Sequence, residues 1–246
     1  MSGRSFLNAS NPDFSCSEGV LLLPFGRESY LPAIAESCRG TRLPMDETTD
    51  RIVYRLDAAG RPVTLVYTGM GSPAAANGLE MIAANGGRSV VVFGACGGVV
   101  PEVAVGDLIV ASEAVRGEGT SAYYSPADTE ARCDPELTEA LWLTASGAER
   151  TGVHRGRVYT TDAGYRQGDE IYDGRHGRVL GVECECSAAA IVASELGLAL
   201  GTLLFVTDNV TLPDEEDRRY QGLRDSRVRA GFEAGLDAAM TVLTAG

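Results

Sequence analysis

Three acidic side chains and two glycine-rich stretches carry most of the chemistry legible in this chain of 246 residues. Glu183 and Glu185 stand two apart after an apolar run at 179–182, so on a continuing strand their carboxylates share one side. Carboxylates so placed either face water or bind hydroxyls. An ionised glutamate accepts two hydroxyl hydrogen bonds at once, which suits the 2′- and 3′-hydroxyls of a ribose. Asp208 follows the apolar segment Leu204-Phe205-Val206-Thr207. A carboxyl at the mouth of a hydrophobic strand can have a raised pKa and serve as a general acid; an Asp there equally well opens an Asx turn into the loop 209–213. Gly69-Met70-Gly71-Ser72-Pro73 and Gly94-Ala95-Cys96-Gly97-Gly98 both follow apolar strands. Glycines in such turns either let backbone N–H groups approach a ligand or merely tighten a connection.

The elements that must position these groups alternate between strand and helix. Val20-Leu21-Leu22-Leu23-Pro24-Phe25 is a short continuous apolar run ending at Gly26, as expected of a strand buried on both faces. A helical stretch at 30–38 follows, then a hairpin over 50–68 that turns at 58–60. Residues 72–85 read as a helix with Ser72 as its cap and Pro73 in its first turn. Strands are expected at 89–93, 105–111, 155–160, 179–183 and 203–207, and helices at 135–146, 187–196 and 215–243. The alternation argues for a single α/β domain over 1–246, with one central sheet flanked by helices and residues 1–17 as a loosely ordered lead-in. Ligands in such sheets collect where strands end, and the unusual residues stand at those ends.

Composition narrows the function. The formal charge is −13 (21 basic, 34 acidic residues) with no Lys/Arg run, so no nucleic-acid partner is expected. No apolar run reaches the ~20 residues of a membrane span, and the first residues lack the order of a signal peptide; no membrane partner and a cytoplasmic location are expected. Six cysteines without a paired framework read as reduced thiols. Cys184 and Cys186 form a C-x-C that no nearby ligand completes, so no metal is expected.

Taken together and in order, several segments resemble the nucleoside phosphorylase–nucleosidase superfamily. They are Thr68-Gly69-Met70-Gly71-Ser72-Pro73-Ala74-Ala75; Gly94-Ala95-Cys96-Gly97-Gly98 followed by Val105-Gly106-Asp107-Leu108; and Glu118-Gly119-Thr120-Ser121-Ala122-Tyr123-Tyr124. Further along stand Thr161-Asp162-Ala163-Gly164-Tyr165, Gly181-Val182-Glu183-Cys184-Glu185-Cys186-Ser187, and Thr207-Asp208. The resemblance implies a mixed, partly barrel-like sheet wrapped by helices, and a homo-oligomer (dimer, trimer or hexamer) with sites near its interfaces. It implies cleavage of the N-glycosidic bond of a nucleoside, without a cofactor. By resemblance Glu185 binds the ribose hydroxyls with Cys184 against the sugar, Met70 lines the sugar pocket, Tyr165 lies near the ribose, and Cys96 and Gly97 face the base. Asp208 protonates the departing base, most naturally at a purine N7; such a proton transfer contributes ~10²–10⁴ in rate.

The chain also departs from that pattern. Phosphorylases of the superfamily hold phosphate with arginines and a hydroxyl residue, and the matching places here hold Phe93, Ala95 and Tyr30. Desolvating phosphate without charge-assisted hydrogen bonds is costly. The leading expectation is therefore hydrolysis, with Glu28 taking a proton from the attacking water; alternatively Glu28 is a helix-start carboxylate facing the dipole. The rival enzyme reading is a phosphorylase with phosphate, as co-substrate, held by Gly26, Arg27, Arg51 (the last as an arginine offered to a neighbouring subunit) and backbone amides. A third reading is a non-catalytic nucleoside-binding protein. Gly164 and Cys184 are small where the family has bulk, the acidic loop 213–219 is a candidate lid, and Arg219 is expected to approach Asp208.

Overall fold

In the computed structural model, which describes residues 14–43, 51–58, 60–147 and 151–245, the apolar run after residue 18 forms β1 (Gly19–Leu23), every residue of it buried. Val20 and Leu22 pack into one hydrophobic cluster and Leu21 and Leu23 into another on the opposite face. Two-sided burial of this kind is what a parallel sheet covered by helices requires. The lead-in expected over 1–17 falls mostly outside the described residues. Its described end is docked: Phe14 is buried, and the Cys16 and Ser17 amides bond to the Asn85 carbonyl and the Thr64 hydroxyl.

The remaining elements in chain order are α1 (Tyr30–Ser37), β2 (Thr41–Arg42), β3 (Ile52–Ala58), β4 (Arg61–Tyr67), α2 (Ser72–Ala84), β5 (Ser89–Gly98), β6 (Leu108–Gly117), β7 (Ala131–Arg132), α3 (Pro135–Ser146), β8 (Val153–Thr161), β9 (Val179–Glu183), α4 (Cys186–Leu196), β10 (Ala199–Asn209) and α5 (Ser226–Thr244). The sheet runs β10-β6-β8-β9-β5-β1-β4-β3-β2, and β10 also pairs with β5. That last pairing closes β5, β10, β6, β8 and β9 into a barrel-like ring, from which β1, β4, β3 and β2 extend as an open wing. The sheet is mixed: β5 is parallel to β1 and β10 but antiparallel to β9. No helix among the described residues is long and apolar enough to cross a membrane.

Three expectations are corrected. The stretch 94–98 is not a turn but the last half of β5, squeezed between β9 and β10 where the ring closes. Space, not an unusual backbone, demands its glycines: a Cβ on Gly98 would lie 2.7 Å from Asn209 Nδ2, and one on the facing Gly181 would lie 3.1 Å from the Gly97 carbonyl oxygen. Ser72 does not cap α2, since Gly71 occupies the cap position, and the Ser72 hydroxyl donates instead to the Cys184 carbonyl at 2.8 Å. The last helix starts at Ser226, not 215. Asp225 caps it by accepting from the Arg227 and Val228 amides, and the acidic segment before it folds back on β10 through Asn209 N–H to Asp217 O and Gln221 N–H to Thr207 O.

Candidate active site

The C-terminal ends of β1, β5, β9 and β10 open onto a cavity of about 710 Å³. Its floor is Ala95, Cys96 and Gly97 of β5 and Val182 and Glu183 of β9. Its walls carry Phe25, Gly26, Ser29 and Tyr30 after β1, Met70 before α2, Cys184 and Glu185 before α4, and Thr207 and Asp208 of β10. Asp162–Gln167 and Tyr220 form the rim.

Asp208 reaches the cavity because β10 is irregular there. The register against β5 shifts between Val206 and Asp208, so Thr207 has no partner in the β5 ladder and Asp208 pairs with Gly97. Bulges of this kind re-aim a side chain. A Cβ on Gly97 would lie 3.1 Å from Asp208 Oδ2, so the glycine makes room for the carboxyl. Burial raises the Asp208 pKa, and the Thr207 hydroxyl, 2.8 Å from Oδ1, opposes that rise. The residue after it anchors the bulge: Asn209 is fully buried, donates to the Val100 and Val103 carbonyls at 2.8 and 2.6 Å, and accepts from the Thr211 amide and hydroxyl at 2.9 and 2.7 Å.

Glu183 and Glu185 are not neighbours on one continuing strand, because β9 ends at Glu183 and the chain turns into α4 with Glu185 at its cap; both nevertheless line the cavity. Glu185 Oε1 accepts the Gly71 amide at 2.6 Å. Gly71 presents that amide from a backbone at φ +106, which only glycine adopts readily. The first glycine turn thus delivers its N–H to a protein carboxylate. Glu183 is held by the chain itself: Oε2 accepts the amides of Glu185 and Cys186, both at 2.6 Å, and Oε1 accepts the Thr160 hydroxyl at 2.5 Å. Desolvation raises the pKa of both buried carboxyls, and the charge of Glu183 raises that of Glu185 further. Burial pushes the Cys184 thiol up to about 12 and the Cys96 thiol well above its ordinary range, so both are inert apolar surface at neutral pH.

The structure brings Asp208, Glu185, Glu183, Cys184, Met70, Cys96, Gly97, Tyr165 and Gly26 to one cavity. It does not bring Glu28, Arg27 or Arg51 there. Glu28 and Arg27 are exposed on the turn that starts α1, while Gly26, Ser29 and Tyr30 of that turn face the cavity. Arg51 is half-buried ahead of β3. Arg219 pairs with Glu215 rather than with Asp208, and its neighbour Tyr220 lines the cavity instead. Phe93 and Tyr30 are core residues that join Phe205 and Phe232 in one aromatic cluster. Tyr220, Arg166 and Gln167 went unseen in the sequence, since all three stand in irregular loops with no strand end or glycine turn to mark them. Among the described residues no group of three His, Cys, Asp or Glu is arranged to hold a metal.

A partly closed mixed sheet with carboxyls at its strand ends is the arrangement expected of the nucleoside phosphorylase class. The chain belongs to the phosphorylase superfamily, whose family model matches residues 20–234. It is 26% identical over 243 residues to a guanosine phosphorylase of Halorubrum lacusprofundi, covering 96% of this chain and 99% of that one. It is 31% identical to a uridine phosphorylase of Treponema pallidum over 191 residues, 72% of this chain and 70% of the other. A crystal structure of purine nucleoside phosphorylase from Toxoplasma gondii superposes with a TM-score of 0.80 at 19% identity, covering 93% of this chain and 91% of that one, a likeness of fold alone.

Proposed function

We propose that the protein cleaves the N-glycosidic bond of purine nucleosides with inorganic phosphate as the nucleophile. The observation that carries the reading is the convergence of Glu185 and Asp208, from the β9–α4 junction and the end of β10, on one cavity. Glu185 keeps acceptor capacity beyond its bond to Gly71 and grips the two ribose hydroxyls. In its ionised form it also favours the sugar cation that develops as the bond breaks. Asp208, made more basic by burial, donates a proton or a hydrogen bond to the base nitrogen so that the base departs neutral. Phosphate then takes the anomeric carbon and leaves as the sugar 1-phosphate.

Two findings favour phosphate over the hydrolysis expected from the sequence. The water-activating base assigned to Glu28 stands outside the cavity, and the relative matched over almost its whole length is a guanosine phosphorylase, which also supports a purine base. One observation keeps hydrolysis as the second reading: among the described residues that line the cavity, Arg166 is the one cation, against Asp162, Glu183, Glu185 and Asp208. Product analysis separates the two, because phosphorolysis yields sugar 1-phosphate only when phosphate is supplied, and hydrolysis yields free sugar without it. Met70 and Tyr220 at the mouth are 74% and 62% exposed, which supports a second copy of the chain covering the mouth.

A further inference from the structure

We propose that Glu183 is a positioning residue: it fixes the first turn of α4, and through it the sugar-binding carboxylate of Glu185, without holding substrate itself. The inference deepens the reading of Glu185 given above and rests on it.

An α-helix leaves its first amides unsatisfied, and the side chain at the cap position ordinarily accepts one of them. At α4 the cap residue is Glu185, and its side chain makes no capping bond. It is turned away, to the Gly71 amide. The carboxylate that takes the free amides belongs instead to Glu183, and one of those amides is that of Glu185. The two glutamates therefore divide the work. A carboxylate offers about four acceptor sites. Glu183 has three of them engaged by this chain, while Glu185 has its bond to the Gly71 amide and a backbone bond at Cys184, which leaves acceptor sites for a pair of hydroxyls.

Glu183 is held in turn from behind. The Thr160 hydroxyl that donates to it accepts the Ser187 amide at 2.8 Å. The Ser187 hydroxyl donates to Glu118 Oε1 at 3.1 Å, and Glu118 Oε2 accepts the Ser121 amide at 2.9 Å. Arg116 Nε donates to the Ser121 hydroxyl at 2.8 Å. The bonds to Glu183 and Glu118 and from Arg116 are charge-assisted, and such bonds are stronger than neutral ones and rigidify what they join. The chain of bonds runs from the β6–β7 connection to the amide of Glu185, and it supplies a use for the Glu118–Ser121 motif, which stands outside the cavity lining.

The test is steady-state kinetics on a purine nucleoside with Glu183→Ala, Glu183→Gln and Thr160→Val, each alone and with Glu185→Gln. A misplacement of about 1 Å costs roughly 10²-fold. Glu183→Ala is therefore expected to raise KM for the nucleoside about 10- to 100-fold with a smaller fall in kcat. Glu183→Gln should recover most of the loss, because its carbonyl oxygen can still accept both amides. Thr160→Val should act in the same direction but less. Combined with Glu185→Gln, the Glu183 and Thr160 changes should each add less than about threefold, as expected for residues acting as one unit. The proposal is overturned if the full loss persists in the Glu185→Gln background, or if Gln at 183 is as damaging as Ala. Should Glu183→Ala fail to fold, the Gln and Val variants decide by the same comparison. A wild-type chain that binds a ribonucleoside but cleaves none would refute the proposed activity alone, and the same variants would then be compared by calorimetric binding constants.

Discussion

On the proposed function, Asp208 owes its role to a carboxyl at a strand end whose pKa burial raises. Below its raised pKa the group carries the proton that the departing base needs; as pH rises through that value the proton is lost. We expect kcat to fall on the alkaline side of that pKa, and Asp208→Asn to lower kcat by ~10²–10⁴ while the binding constant for the nucleoside changes little. A variant that binds nucleoside poorly but turns it over normally would contradict the assignment. The same shift has a consequence for stability. Asp208, Glu183 and Glu185 all have folded pKa values above the unfolded ones, so the folded state binds more protons. Their contribution is fully present below the ordinary carboxylate range and is lost as pH rises through the folded values. Asp107, lowered by its bond to His154, works the other way and loses its contribution only in acid. The ligand-free protein should therefore melt at a lower temperature at about pH 8 than at about pH 5, and Glu185→Gln should flatten that slope. A melting temperature that rises over the same interval would count against the assignment.

At the level of the element, two strand ends and a helix start do the positioning. The β10 bulge turns Asp208 inward, Asn209 pins it to the loop after β5, and Gly97 clears the space it occupies. Asn209→Ala removes the buried side chain that makes four hydrogen bonds and should cost about 2–4 kcal/mol in denaturant unfolding. Gly97→Ala places a methyl against Asp208 Oδ2. It should lower kcat roughly 10- to 100-fold with a stability loss of about 1 kcal/mol or less; an unchanged kcat would show that the carboxyl needs no such room. These devices were only half legible. Apolar runs and Gly/Pro punctuation located the longer strands, because two-sided burial leaves a continuous apolar stretch. The two-residue β2 and β7 carry no such run and were not expected, and β6 begins at 108 and runs to 117 where 105–111 was expected. The range 135–146 expected for α3 is the range observed, with Asp134 capping it by accepting the Leu137 amide. The glycines at 94–98 were misread as a turn, because a glycine needed for close approach of three strands looks the same in sequence as one needed for a turn. The start of α5 was missed for a related reason: an acidic, helix-compatible composition at 214–219 hides the fact that tertiary bonds to β10 claim that segment.

Across the whole molecule, the ring of β5, β10, β6, β8 and β9 gathers residues from distant parts of the chain at one end of the sheet. That Glu185 and Asp208 line one cavity was implied by the family resemblance. The exposure of Glu28 was not, because whether a residue on a short turn faces inward depends on φ and ψ choices that composition does not record. The same geometry moves the account from water toward phosphate as the nucleophile. If a second copy covers the mouth, light scattering should return at least twice the chain mass, and Met70→Glu should shift the protein toward monomer; a monomeric wild type would remove that element of the account. The most direct measurement is to incubate a purine ribonucleoside with the protein, with and without inorganic phosphate, and to resolve the sugar product. The account predicts free base and ribose 1-phosphate in equal amounts, only with phosphate, and loss of both in Asp208→Asn. Free ribose released at the same rate in the absence of phosphate would contradict it.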